Sequence, residues 1–303
     1  MAQFVAGQIF VWLMFSFCAD PAAIDGLTWL TCYLTTGKHM AFYLSFLVVL
    51  VLLALAAPMA MLFGFVGALA CRSGLAPVRL FGQGYITMVR GIPDIAFFLF
   101  VPVALDQAFE FLRHKILCSE ITQPVWRGNE FLVCDAAKLP LGTSPQWVHE
   151  IYGFMLALLA FAIVFGAFAG NTLRGAMRAV PEAQLQAAAA FGMTRRQIFW
   201  RVHLPQMWVF ALPGLSNLWM ILVKATPLLF LLGVEDVVYW ARELGGSKTS
   251  AHSYPHGDWR LWYFLGLLVF YLTLTWISER FFARLMARFS FGQATLGSAE
   301  AAS

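Results

Sequence analysis

The sequence predicts an all-α integral membrane protein with five core transmembrane helices. Of its 303 residues, 60% are hydrophobic and only 12% are charged, and the mean hydropathy is +0.73. So little polar surface excludes an ordinary soluble globular protein. Lipid offers no partners to backbone N–H and C=O groups, so only helices and closed barrels cross it. The apolar runs lack the alternating pattern of membrane strands, which favours helices.

Five apolar stretches are long enough for a helical span, which needs about 20 residues. They are residues 41–70, 81–105, 151–171, 207–233 and 259–283.

The N-terminal segment 1–38 contains a sixth apolar run, residues 4–18, which is short for a span. It also lacks the basic start and small-residue cleavage site of a secretory signal. We expect it to form an interfacial or obliquely inserted helix, with an extra span as the alternative.

The distribution of arginine predicts the orientation in the membrane. Segments rich in Lys and Arg stay in the cytoplasm, and arginines dominate 71–80, 172–206 and the tail after residue 284. We therefore expect the C-terminus, including the end 291–303, inside. The charge-mixed segment 106–149 is then a long extracytoplasmic loop.

The predicted orientation also divides the five cysteines between the two sides of the membrane. Cys118 and Cys134 both lie in 106–149, where an oxidising compartment would permit a disulfide between them. Cys18 and Cys32 could also meet outside, whereas Cys71 is expected to stay reduced. The alternative is that all five are small buried apolar residues.

Segment 172–206 is too polar for lipid and is patterned as a helix–turn–helix. Pro181 and Glu182 suit a helix start, because proline fits the first turn and an acidic side chain complements the helix dipole. The alanine-rich run 186–190 propagates the helix and leaves a smooth surface. Gly192 then suits the C-terminal cap.

A second helix is predicted after that glycine. Thr194 can cap its N-terminus, and Arg195, Arg196 and Arg201 give it a basic surface. Pro205 is expected to break the helix before the next span. The two surfaces, one of alanine and one basic, indicate an element that enters a groove of another protein.

At this element the sequence resembles the inner-membrane permease subunits of bacterial ABC importers. Their shared cytoplasmic signature is Glu-Ala-Ala, three residues, Gly, nine residues and then Ile-x-Leu-Pro. The matching positions, at the same spacing, are Gln186-Ala187-Ala188, Gly192, Val202, Leu204 and Pro205. Gln186 replaces the glutamate and Val202 the isoleucine.

Other stretches are similar to the polar amino-acid branch of this family, above all to the histidine/lysine/arginine/ornithine and opine importers. They are 84–94, 211–217, 224–226 and 232–238. The resemblance covers about 39–290 and implies a permease domain over that range. It implies import of a polar amino acid, with a basic one favoured and another polar one as the alternative.

The resemblance also implies an assembly in the bacterial inner membrane. The expected partners are a second, distinct permease subunit, two ATPase subunits, a periplasmic substrate-binding protein and membrane lipid, but no nucleic acid. ATP and Mg would be bound by the ATPase subunits and no cofactor by this chain. The residues implied to couple to the ATPase are Pro181, Glu182, Gln186, Ala187, Ala188, Gly192, Leu204 and Pro205.

Polar groups within the spans are candidates for the translocation pathway. Asp94 and Lys224 each cost at least ~2.5–3.5 kcal/mol near the bilayer centre, so something must offset their insertion. Asp94 and Asn217 could line a polar pathway; alternatively, Arg90, Asp94 and Lys224 satisfy one another or nearby kinked backbone. The candidates are Arg90, Gly91, Pro93, Asp94, Asn217 and Lys224.

Other motifs fail, and no catalytic or metal-binding residue is predicted. Residues 245–249 superficially resemble a phosphate-binding loop, but Ser247 replaces its glycine and the segment maps to the outside. His252 and His256 are four residues apart, yet the intervening Pro255 opposes a helix that would present both to a metal. The rival class is a membrane enzyme that would use Asp94 and Lys224.

Overall fold

The computed structural model describes residues 18, 24, 26–88, 93–120, 125–140 and 142–289. Several sequence predictions lie outside these residues: nearly all of the apolar run 4–18, the tail 291–303, and the pathway candidates Arg90 and Gly91. For Asp94 the backbone is described and the side chain is not.

Five helical segments are long and apolar enough to cross a membrane, which confirms the predicted fold class. They are Gly37–Ala70, Ile95–Leu117, Gln146–Ala179, Arg195–Leu232 and Arg260–Phe289.

The α-helices in chain order are α1 (Gly26–Leu34), α2 (Gly37–Ala70), α3 (Ala76–Met88), α4 (Asp94–Leu117), α5 (Gln146–Ala179), α6 (Glu182–Ala190), α7 (Arg195–Ile198), α8 (Leu204–Ala225), α9 (Val237–Gly245) and α10 (Arg260–Phe289). A short antiparallel hairpin, β1 (Trp126–Arg127) and β2 (Glu130–Phe131), lies between α4 and α5.

The second span was placed wrongly by the sequence. It was predicted over 81–105, but α3 ends at Met88 and the membrane helix runs over Ile95–Leu117. The predicted loop 106–149 therefore begins and ends in helices. The reason is that its acidic residues have partners: Asp106 Oδ1 accepts a hydrogen bond from Tyr152 Oη at 2.6 Å, and Glu110 Oε1 accepts one from Leu139 N at 3.0 Å.

The predicted break at Pro205 is also wrong. A π-helical turn, Phe199–His203, joins α7 to α8, so that the helix is continuous from Arg195 through the proline. Pro205 is the second residue of α8 and directly follows this turn, in which Leu204 N donates to Phe199 O. The wider π turn accommodates the proline without interrupting the helix.

The chain forms two compact units. The first comprises Met1–Ala54, Phe98–Ala160 and Thr226–Phe270. Within it, Tyr33 Oη of α1 lies 3.0 Å from His256 Nε2 and accepts a hydrogen bond from Tyr263 Oη at 3.2 Å. Tyr263 Oη also lies 2.6 Å from His39 Nε2. Helix α1 is thereby fixed to α2 and α10.

The cysteines pair within the first unit. A disulfide joins Cys118 to Cys134, and another joins Cys18 to Cys32. Cys71, which belongs to the second unit, is buried and has no disulfide partner.

The second unit comprises Leu55–Phe97, Phe161–Ala225 and Tyr271–Ser303. Helices α2 and α5 approach closely there, since a Cβ on Gly64 would lie 2.7 Å from the backbone nitrogen of Gly170. Tyr85 Oη donates to the carbonyl of Ile163 at 2.6 Å, which attaches α3 to α5. A buried cluster joins the C-terminal ends of α2 and α5 to α8: Ala68, Leu173, Ala176, Met177, Val180, Met207 and Ala211.

Candidate functional site

Helix α6 has one attached face and one open face. Leu185 packs against the buried cluster of the second unit, and Ala188 is buried. Glu182, Gln186 and Ala187 are exposed. Ala183, Ala187 and Ala190 are also exposed on α6, and their small side chains allow another protein to approach the helix closely. The face that carries Leu185 and Ala188 holds α6 in place.

The start of α6 follows the predicted chemistry. Pro181 is the residue before the helix, and its carbonyl accepts a hydrogen bond from Gln184 N at 3.2 Å. Glu182 lies in the first turn, where its charge complements the helix dipole.

The turn after α6 requires a left-handed residue. Gly192 has φ +80°, and its N–H donates to Ala189 O at 2.9 Å while Met193 N donates to Ala188 O at 3.2 Å. A Cβ on Gly192 would meet no atom within 4 Å, so backbone conformation rather than crowding favours glycine here. Beside it, the Phe191 side chain is 90% exposed.

The second helix begins with a reciprocal cap. Thr194 Oγ1 accepts from Gln197 N, and Gln197 Oε1 accepts from Thr194 N at 2.8 Å. This capping box fixes the direction in which the chain leaves the turn. Arg195, Arg196 and Arg201 are exposed beyond it and give the basic surface that the sequence predicts.

A buried histidine attaches the π-helical turn to α5. His203 Nε2 lies 3.0 Å from Met177 O and 3.4 Å from Arg72 Nη1. A carbonyl oxygen can only accept, so Nε2 carries a proton and donates it to Met177. The sequence analysis did not single out His203 or Phe191. An aromatic residue directly before the turn glycine could have indicated Phe191 as an exposed contact residue.

Two pathway candidates share one face of α8. Asn217 and Lys224 are seven residues apart, which places them on the same side of a helix. Both are exposed, as are Phe210, Pro213 and Ile221 on that side, whereas Met207, Ala211, Leu222 and Val223 are buried. The structure thus leaves uncovered a helix face that carries an amide and an ammonium group within a membrane span.

The remaining candidates are placed only in part. Pro93 is exposed and directly precedes α4. The alternative of mutual pairing among Arg90, Asp94 and Lys224 involves two side chains outside the described residues.

The segment that resembles a phosphate-binding loop has another role. Lys248 Nζ lies 3.1 Å from Glu243 Oε1, and Lys38 Nζ lies 2.9 Å from the same oxygen. The hydrogen bond from Lys38, together with that from Lys248, holds the pKa of the Glu243 carboxyl below its usual range. The ammonium group of Lys248 is therefore engaged in an ion pair.

Comparison with known proteins identifies the family. Residues 60–291 match the model of the binding-protein-dependent transport system inner membrane component. The chain belongs to this family. The signature positions 186–205 and the α8 face that carries Asn217 and Lys224 lie inside the matched region.

Relatives within the binding-protein-dependent family are amino-acid permease proteins. The histidine/lysine/arginine/ornithine transport system permease protein HisQ of Escherichia coli K12 is 31% identical over 80% of this chain and 92% of its own length. The arginine ABC transporter permease protein ArtQ of the same organism is 28% identical over 70% and 79% of the two chains. The octopine permease protein OccQ of Rhizobium radiobacter is 27% identical over 73% and 78%.

A solved structure shares the fold. It is described as an amino acid ABC transporter with histidines, and the match has a TM-score of 0.57 at 19% identity, covering 88% of this chain and 99% of the other. The predicted resemblance to polar amino-acid ABC permease subunits is therefore confirmed.

Proposed function

We propose that this chain is the permease subunit of an ATP-driven importer that carries a polar amino acid, with a basic one favoured, across the bacterial inner membrane. The observation that carries the proposal is the coupling signature within a region that matches an importer membrane component. The relatives named for histidine, lysine, arginine, ornithine and octopine support a basic amino acid or its derivative.

The coupling element is the surface for an ATPase subunit. Ala183, Ala187 and Ala190 offer a flat small-residue face beside Gln186. Phe191 projects from the turn as an apolar anchor. Exposed aromatic side chains of this kind dominate the energy of many protein interfaces. Leu185 packs against the buried cluster. A force that the ATPase exerts on α6 therefore moves this cluster as well as the turn.

The movement reaches the pathway through a continuous helix. Because α7, the π turn and α8 follow one another without a break, displacement at Thr194 is transmitted along α8 to Asn217 and Lys224. Such a rigid element suits a transporter that alternates between outward-open and inward-open states. Leu204 and Pro205 begin α8 and belong to the same element.

The uncovered face of α8 meets the pathway and a second, distinct permease subunit. A polar pair inside a membrane span is favoured where it faces water or protein rather than lipid. Arg90, Gly91, Pro93 and Asp94 are the further candidates along the pathway. The sequence alone supports a role for these four residues in the pathway.

The rest of the assembly follows from this role. Two ATPase subunits bind ATP and Mg and hydrolyse ATP, so this chain itself is non-catalytic and holds no cofactor. A periplasmic substrate-binding protein delivers the amino acid on the opposite side. The C-terminus and the coupling element then lie in the cytoplasm, and exposed Arg195, Arg196 and Arg201 contact anionic lipid headgroups.

Uptake measurements test the function. Cells with and without the subunit are given labelled arginine, histidine, lysine or glutamine, and we expect uptake of at least one basic amino acid to require it. Unchanged uptake of all four would remove the substrate assignment. In the purified complex we expect ATP hydrolysis to depend on co-purified ATPase subunits. Turnover by this chain alone would instead favour a membrane enzyme.

Labelling tests the orientation. A cysteine introduced in place of the exposed Gln186 is expected to react with an impermeant maleimide only after cells are opened. Labelling on intact cells would place the coupling element outside and overturn the proposal.

A further inference from the structure

Three side chains that can bind a metal converge where α4 ends. They are His114, Cys118 and Cys134, and their ligand atoms lie within 4.8 Å of one another. Cys118 follows His114 by one helical turn, since its N–H donates to His114 O at 2.9 Å. Cys134 reaches them after the β1–β2 hairpin.

Contacts besides the disulfide hold Cys134 in this position. Arg113 Nε donates to Ala137 O at 3.2 Å and its Nη2 donates to Ala136 O at 2.9 Å. Glu110 Oε1 accepts from Leu139 N at 3.0 Å. Because α4 grips the backbone over 136–139, we expect Cys134 to stay beside Cys118 when the bond between them is reduced.

The His114 ring directs a hydrogen-bond-accepting nitrogen towards Cys134. His114 Nδ1 accepts a hydrogen bond from Cys134 N at 3.1 Å, so this nitrogen carries no proton and its lone pair faces Cys134. The side chain is only 6% exposed, and therefore little water competes for that nitrogen. Imidazole nitrogen binds metals in this neutral form.

We propose that the reduced chain binds one zinc ion through Cys118 Sγ, Cys134 Sγ and His114 Nδ1, and that the disulfide and the zinc site exclude each other. Two thiolates and one imidazole form a donor set typical of tetrahedral zinc, with a solvent molecule in the fourth position. The thiolates also balance the charge of the ion.

The conversion of the disulfide into the zinc site needs two electrons, which a phosphine supplies as reductant. The phosphine and one water reduce the disulfide to two thiols and become a phosphine oxide. Zinc then displaces the two thiol protons, and Nδ1 exchanges its hydrogen bond from Cys134 N for the ion. Hydrogen peroxide, as a two-electron oxidant, takes up two protons and becomes two water molecules while the two thiolates form the disulfide and release the zinc.

The test uses the full chain in detergent, reduced with a phosphine, loaded with zinc and separated from excess ion. We expect about one bound zinc per chain after reduction and a background amount in the oxidised protein. Cobalt in place of zinc should give the charge-transfer absorption of thiolate ligands. A reduced chain that binds no zinc would overturn the proposal.

Matched variants assign the ligands. His114→Asn keeps an oxygen that can accept from Cys134 N but removes the nitrogen ligand, so we expect zinc affinity to fall about tenfold or more, the scale found even for groups that only hydrogen-bond to a ligand. Elution as the native species and an intact Cys118–Cys134 disulfide in the oxidised variant would show that it folds. Unchanged affinity would mean that the histidine is not a ligand.

The other cysteine pair is the control. Cys18→Ser with Cys32→Ser removes a disulfide outside the metal-binding group, and we expect zinc uptake to be unchanged. Cys118→Ser with Cys134→Ser should abolish uptake. The proposal is wrong if the second double variant retains zinc or the first loses it.

Discussion

His203 Nε2 lies 3.0 Å from the backbone oxygen of Met177, joining the π turn before α8 to the last turn of α5. Carbonyls in the last turn of a helix lack intrahelical partners. Buried beside the cluster around Leu173 and Met207, this carbonyl would otherwise be unsatisfied. The hydrogen bond therefore fixes the start of the membrane helix onto its neighbour.

We expect His203→Leu to weaken this attachment. Leaving a buried carbonyl unpaired costs about 1–3 kcal/mol, so the variant should have a lower apparent Tm and a weaker dependence of ATP hydrolysis on substrate. His203→Gln can donate from its amide and should recover most of both quantities. Equal losses in the two variants would show that the ring itself, and not the hydrogen bond, is required.

The role of the Gly192 turn can be tested by substitution, with a second glycine that also has room for a Cβ as the control. Gly192→Val forces a β-branched residue into φ +80°, which costs roughly 1–2 kcal/mol or more. We expect normal membrane insertion and loss of ATPase co-purification.

The control is Gly175→Ala in α5. Its Cβ, like that of Gly192, would meet nothing within 4 Å, but its backbone is helical. Alanine there should leave both insertion and co-purification intact. ATPase that still co-purifies with Gly192→Val would contradict the role assigned to the turn.

Phe191 should contribute to ATPase docking without supporting the fold of the isolated subunit. Its side chain is 90% exposed, so Phe191→Ala removes few internal contacts. We expect an unchanged Tm for the subunit and a loss of about 2 kcal/mol or more in docking. The measurement is the affinity of the reconstituted permease for the ATPase. Trp126→Ala, at a side chain 53% exposed in the β1–β2 hairpin, should leave that affinity unchanged.

Local chemistry predicted much of the coupling element. The positive φ of Gly192 and the cap by Thr194 depend on residues within one or two turns, and the sequence contains all of that information. The five spans could be predicted because membrane thickness sets helix length. Their ends could not be predicted in the same way.

Contacts between distant residues account for the errors. Asp106 was assigned to a loop because it is charged, but Tyr152, 46 residues later, donates to it. The contact of His203 with Met177 likewise joins residues 26 apart in sequence. No periodicity or motif encodes such pairs. Pro205 was assigned to a break because the sequence does not reveal the π turn before it.

We expect the exposed face of α8 to be needed for transport and not for assembly with the ATPase. Lys224→Met keeps a long side chain but removes the ammonium group from the face that carries Asn217. We expect the variant to insert and to bind the ATPase, while import falls at least tenfold. Ile221→Leu, an apolar change on the same face, is the control and should import normally. Normal import by Lys224→Met would show that the ammonium is not needed in the pathway.

Asp236 predicts a pH-dependent stability. Its side chain is fully buried before α9, where Oδ1 accepts from Val238 N and Tyr239 N. Oδ2 has no hydrogen-bond partner among the described residues. Burial raises the pKa of this carboxyl from 3.8 to about 6, although the backbone hydrogen bonds oppose the shift.

The sign of the effect follows from proton binding. Between about pH 4 and pH 6 the native carboxyl holds a proton that the unfolded chain has released, so stability falls as the pH rises through this window. The loss amounts to about 3 kcal/mol by pH 7. Asp236→Asn retains an oxygen for the helix cap but never becomes charged. We therefore expect the variant to match the wild type near pH 4 and to have the higher apparent Tm at pH 7.

A matched carboxylate separates burial from capping. Asp258 Oδ1 accepts from Arg260 N at the start of α10, but its side chain is 56% exposed. Asp258→Asn keeps an oxygen for this cap, and we expect it not to raise the apparent Tm at pH 7, because the side chain is exposed to water. If Asp236→Asn instead lowers the Tm at pH 7, the prediction is wrong and burial is not the dominant influence on the pKa of this carboxyl.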